Sequence, residues 1–155
     1  MLYLVRHGHA GNKRTWRGDD LDRPLSATGR REAAGLVALL RDLPIGTIVS
    51  SPAVRCTQTV QPLAATRRLP VHVEQFLMVG ADGDEVLARL LQTGPDEMLW
   101  CTHGELIGVL LATLRGKGAP VSQRAEWPKG SAWLLELAGG TVRAARYLPP
   151  PAGQP

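Results

Sequence analysis

Arg6-His7-Gly8 follows directly on the apolar run Leu2-Tyr3-Leu4-Val5. A short apolar run reads as a buried strand, and open α/β sheets bind ligands at the C-terminal ends of their strands. The spacing therefore puts a guanidinium and an imidazole where a ligand would sit, beside a glycine that lets backbone approach it closely. Met98-Leu99-Trp100-Cys101-Thr102 runs into His103-Gly104 in the same way. A third strand, Thr47-Ile48-Val49, leads into the segment Ser50 to Thr59, which carries Arg55. Arginine's planar fork matches phosphate oxygens in pairs, and histidine can form a covalent intermediate as a nucleophile. Two arginines and two histidines at the ends of three strands describe a pocket for a phosphoryl group.

The elements that must position these residues follow from pattern. Residues 10–24 are polar, show little periodicity and read as a loop. Ser26 suits a helix cap, and Ala33, Leu36, Val37 and Leu40 follow at helical spacing, in a helix that ends before Pro44. A strand over 46–50 precedes a helix from about Pro52, placed in its first turn, which Pro62 should kink or divide. Val71–Val73 reads as a short strand, and residues 83–93 as an amphipathic helix stopped by Gly94-Pro95. Strand 98–102 leads to a helix over 105–115, whose positive dipole end would face a phosphate beside His103. Ala132–Leu137 and Thr141–Tyr147 flank Ala138-Gly139-Gly140 as a hairpin. The alternation predicts an α/β fold, a three-layer α/β/α sandwich with a mostly parallel sheet and a C-terminal hairpin. One domain over 1–148 and a disordered, proline-rich tail over 149–155 are expected.

The chain resembles the histidine phosphatase superfamily, the phosphoglycerate-mutase-like proteins. The resemblance rests on four motifs in the family's order: Leu4 to Ala10, Arg23 to Gly29, Ser51 to Thr59, and Thr102 to Ile107. Trp16-Arg17-Gly18-Asp19-Asp20 and Pro128 to Trp133 are similar to a narrower branch, that of bacterial phosphohistidine phosphatases and phosphatase domains fused behind Nudix domains. The resemblance implies His7 as nucleophile, with Arg6, Arg55 and His103 neutralising the equatorial oxygens of the transferring group. The physics agrees, because charge gathers there in the transition state. Backbone amides at Gly8 and Gly104 could add donors, and Arg17 and Lys129 are expected to bind substrate. Asn12 reads either as a further donor or as a turn residue. Ser51 reads as a helix cap, and His9 stays outside the catalytic set. Lys13, Arg14, Arg17 and Arg23 form a basic cluster that could rim the pocket.

In one respect the sequence departs from that family. Many members carry a glutamate in a Leu-x-Glu-Gly context, where this chain has Leu77-Met78-Val79-Gly80. Valine cannot pass a proton to a leaving group, so the candidates for a general acid are Glu105, Asp82, Asp84 and Glu85. Each also has a plain role, since acidic residues favour helix N-termini. The leading expectation is a phosphatase that needs no metal and no cofactor and acts on a phosphorylated small molecule or a phosphohistidine protein. A mutase would need long insertions for which 155 residues leave little room. A phosphate-binding regulatory module that has lost turnover is the alternative, and Val79 favours it.

Composition narrows the remaining classes. At 44% hydrophobic and 21% charged residues the chain is ordinarily globular. No apolar run approaches the ~20 residues of a membrane span, and no signal-peptide core precedes Arg6, so a cytoplasmic protein without membrane contact is expected. Cys56 and Cys101 lack metal-ligand spacing and read as buried thiols. The net charge of +4 raises nucleic-acid binding, but aromatics are only 5% and the basic residues form no stripe; no nucleic-acid partner is expected.

Overall fold

The structure, a computed structural model, describes residues 1–92 and 97–151. The strands are β1 (Leu2–Arg6), β2 (Thr47–Ser50), β3 (Val71–Val73), β4 (Met98–Thr102), β5 (Ala132–Ala138) and β6 (Thr141–Leu148). They form one six-stranded sheet in the order β3-β2-β4-β1-β5-β6. The pairings among β1 to β4 are all parallel, while β5 runs antiparallel to both β1 and β6. The helices are α1 (Ala27–Leu39), α2 (Val54–Arg67), α3 (Gly83–Gln92) and α4 (Gly104–Gly116).

Successive strand side chains point to opposite faces, so a strand covered on both faces must be apolar throughout. This explains the unbroken run at Leu2 to Val5. Tyr3 and Val5 join Ile48, Leu99 and Cys101 in a core with Leu36 of α1 and Cys56, Val60 and Leu63 of α2. Leu2 and Leu4 join Val49, Trp100 and Trp133 in a second core with Leu87 and Leu90 of α3 and Ile107 and Leu110 of α4. The expected three-layer α/β/α sandwich with a mostly parallel sheet is what the chain forms. Cys56 and Cys101 are both buried and free.

Two expectations about proline are corrected. Pro52 does not open the second helix: Ala53 caps it, without a side-chain bond, and the helix starts at Val54. Pro62 does not divide α2, which runs unbroken from Val54 to Arg67. Val60, Leu63 and Ala64 lie buried on either side of Pro62, and this packing outweighs the missing amide. The α1 cap is as expected, with the Ser26 hydroxyl accepting from the Gly29 amide at 3.2 Å. The hairpin turns at Gly139 and Gly140, both at positive φ (57° and 69°), the backbone a two-residue primed turn requires. The Gly94-Pro95 stop lies outside the described residues. So does most of the tail, although Pro151 lies against Gly35 of α1.

Candidate active site

Strand order creates the site. β1 and β4 are parallel neighbours with Arg6 opposite Thr102, so the residues that follow them, His7 and His103, emerge side by side. Their rings stand 5.2 Å apart at 69°, edge to face. β2 borders β4 with Ser50 opposite Cys101, which brings Ser51 and the first turn of α2 alongside. Arg6, His7, Arg55 and His103 thus meet at one end of the sheet, lining a cavity of about 580 Å³.

His7 is 7% exposed. Its Nδ1 lies 2.8 Å from the Gly8 carbonyl; a carbonyl only accepts, so Nδ1 carries the proton and Nε2 keeps its lone pair. Burial, reinforced by His103, Arg55 and Arg6 and opposed by the Gly8 bond, pushes its pKa down to about 3. The imidazole is therefore neutral and nucleophilic at any ordinary pH. The His103 Nε2 meets the Ser51 hydroxyl at 2.9 Å, and its Nδ1 lies 3.4 Å from Arg55 Nη2. A guanidinium only donates, so Nδ1 accepts and Nε2 donates to Ser51. Ser51, expected as a helix cap, instead orients His103.

The two arginines have unsatisfied donors. Arg6 Nη1 donates to the Trp127 carbonyl at 2.7 Å, and its guanidinium lies over Gly104, where an added Cβ would come within 2.7 Å of it. Arg6 Nε and Arg55 Nε are both buried without a hydrogen-bond partner. A buried donor left in that state is costly, and a phosphate oxygen would satisfy it. Arg55 is further held by Asp20, through Nη1 to the backbone carbonyl and Nη2 to Oδ2 at 3.1 Å. Asp20 also accepts from Arg23 Nε at 2.9 Å. Burial pushes the Asp20 carboxyl up, but Arg23, Arg55 and Lys13 more than reverse this and hold it below the usual range.

Of the other expected site residues, Asn12, Lys129 and Glu105 line the cavity, and so does Val79. Burial and the nearby Arg6 charge lower the Lys129 pKa. The Asn12 Oδ1 accepts from the Arg14 amide at 2.9 Å, which makes it a turn residue as well as a wall. The Gly8 amide is taken by Thr59 Oγ1 at 2.9 Å, so it does not face a ligand. Gly104 opens α4, whose cap, His103, makes no side-chain bond to the first-turn amides. Arg17 is exposed and lines no part of this cavity. Asp82, Asp84 and Glu85 also stand apart from it: Asp82 Oδ1 accepts from the Asp84 amide, and Glu85 pairs with Arg89 at 3.0 Å. They serve the start of α3.

Lys13 and Arg23 of the basic cluster line the cavity, as do His9 and Asp20. His9 Nδ1 lies 2.7 Å from the Ser26 hydroxyl, tying the loop to the α1 cap. A Cβ at Gly29 would fall 2.0 Å from the His9 carbonyl, so α1 needs glycine there. Asp20 was missed because an unpatterned loop carries it. Its signals were an acidic pair within a basic stretch and its place in Trp16 to Asp20, the stretch similar to the narrower branch.

The sequence profile of the histidine phosphatase superfamily (branch 1) matches residues 2–78. An 8-oxo-(d)GTP phosphatase of Mycolicibacterium smegmatis is 35% identical over 97% of this chain. The chain spans about half that relative's length, 48%. Among solved structures, the protein histidine phosphatase SixA complexed with tungstate superposes with a TM-score of 0.73 at 23% identity, covering 95% of this chain and 93% of that one. A mycobacterial glucosyl-3-phosphoglycerate phosphatase complexed with VO3 gives 0.68 at 22% identity, covering 97% and 98%. Motif order, fold and these likenesses agree: the chain belongs to the histidine phosphatase superfamily.

Proposed function

We propose that the chain is a metal-independent phosphatase that works through a phosphohistidine at His7. The observation that carries this reading is the hydrogen-bonded Nδ1 of a neutral, buried imidazole, which leaves Nε2 as nucleophile among Arg6, Arg55 and His103. Nε2 attacks phosphorus while the bond to the leaving group breaks, and the leaving group departs with the electron pair. Arg6 Nε and Arg55 Nε donate to the equatorial oxygens, where preorganised donors act most strongly. Water then attacks the phosphohistidine, the P–N bond breaks and inorganic phosphate leaves. Glu105 is the one of the four candidate acids that lines the cavity; it serves the leaving group, or the attacking water in the second step.

The substrate is a phosphorylated small molecule or a phosphohistidine protein. The 8-oxo-(d)GTP phosphatase relative supports nucleotides in the first class, and SixA, a protein histidine phosphatase, supports the second. The decisive experiment is a short pulse with labelled substrate. Acid-labile, base-stable label is expected on the wild type and none on His7→Ala; label retained by the variant overturns the assignment. The second reading, a phosphate-binding regulatory module, is favoured by Val79 at the cavity wall. It requires vanadate binding with no turnover of any phosphoryl donor.

A further inference from the structure

The phosphate cavity does not end at its charged residues. A second cavity of about 230 Å³ abuts it, with Gly11, Asn12 and Arg23 as shared walls. Its other walls are of different character: Trp16, Pro24, Leu25 and Ala10, with the hydroxyl-bearing Thr15 and Ser26. Trp16 is 38% exposed in a loop that is mostly polar. That loop holds the indole in place. Its Nε1 donates to the Asp19 carbonyl at 2.8 Å, and it rests against Gly18, where an added Cβ would meet indole atoms at 3.1–3.3 Å. Asn12 fixes the preceding turn by accepting from the Arg14 and Thr15 amides. Arg23 is pinned by the Asp20 carboxylate and the Ala10 carbonyl.

A fixed indole and a fixed guanidinium that line one cavity with the apolar Ala10, Pro24 and Leu25 offer a flat ring two kinds of contact: indoles stack on π faces, and arginine adds a cation–π contribution. Both contacts cost little ordering entropy, because the protein side is already held. We propose that this second cavity is the leaving-group subsite, and that the preferred substrates are phosphate esters carrying a planar aromatic ring that stacks on Trp16. The proposal rests on the phosphatase reading above and adds the substrate class to it. The volume of the cavity limits that ring system to a compact one.

The test separates the two readings because binding is measured without turnover. In the His7→Ala background, benzyl phosphate and inorganic phosphate are titrated by calorimetry, with and without a second change at Trp16. Trp16→Ala is expected to weaken benzyl phosphate about tenfold, the scale of one stacked ring, while inorganic phosphate stays within about twofold. Trp16→Phe, which restores a flat face, should recover most of the loss. Equal weakening of both ligands, or no effect on benzyl phosphate, overturns the subsite. Should Trp16→Ala not fold, Trp16→Leu set against Trp16→Phe makes the same comparison at conserved bulk. If the wild type turned over no substrate but the binding pattern held, the phosphatase reading would fail while the ring subsite stood.

Discussion

At the scale of the residue, burial keeps His7 neutral, as the proposed nucleophile must be, and makes it a liability in acid. Its folded pKa of about 3 lies below the 6.5 of the unfolded chain. The unfolded state therefore takes up a proton first as pH falls. The stability tied to a neutral His7 is complete above about pH 6.5 and is lost progressively toward pH 3, at up to ~1.4 kcal/mol per unit. Urea midpoints of wild type and His7→Gln should converge as pH drops from 7 to 4; parallel curves would show that the imidazole is not buried in its neutral form. Arg55 gives a second prediction. Arg55→Lys keeps the charge but loses the fork that reaches Asp20 and His103 and, in the proposed mechanism, an equatorial oxygen. A rate loss of roughly 10²-fold or more is expected, and a near-normal kcat would reduce the residue to a supplier of charge. The convergence of His7, Arg6 and Arg55 on one cavity was legible because each sits in a short motif with a local signal. Ser51 was visible but misread, since its partner lies 52 positions away and only the β2-β4 pairing brings them together.

At the scale of the element, the strands and helices were readable wherever apolar period and punctuation coincided. The exceptions were Pro52, which precedes α2, and Pro62 within it. Proline in a helix interior removes one backbone bond and costs up to ~3 kcal/mol relative to alanine. Sequence-local reasoning weighs that cost alone, whereas the packing of Val60, Leu63 and Ala64 on the sheet decides the outcome. Pro62→Ala should then stabilise the fold by about 1 kcal/mol or more, read as a raised Tm with activity intact; a lowered Tm would mean that the ring itself contributes to packing. The loop over residues 10–24 escaped a detailed reading for the opposite reason. It has no period to read, yet it delivers Asp20, Arg23 and Trp16 to the two cavities.

At the scale of the whole molecule, positive charge converges on one face. Lys13, Arg6, Arg23, Arg55 and Lys129 line the main cavity against Asp20 and Glu105. Such a field speeds the capture of a dianion and is screened by salt. Raising the ionic strength from 0.02 to ~0.3 M should lower kcat/KM for an anionic substrate severalfold while leaving kcat nearly unchanged; a flat response would place the capturing charges out of the substrate's reach. Side chains supplying this charge also predict activity in EDTA and inhibition by vanadate or tungstate, and activity abolished by the chelator and restored by magnesium would refute the metal-free mechanism.

β1 begins and β6 finishes at opposite ends of the sheet's strands, which matters to anyone who must hold the protein on a surface. The Met1 amine sits 3.7 Å from Glu97, a five-residue strand or roughly 17 Å from the His7 corner. Leu148 pairs with Ala132, which pairs with Val5, so β6 finishes at the same end of the sheet as the cavity. An affinity handle at the amino end points the cavity into solution, where a large phosphoprotein could reach it. Anchoring through the last residue of β6, Leu148, would turn that end toward the support, and the immobilised protein should then discriminate by substrate bulk in a way the free protein does not.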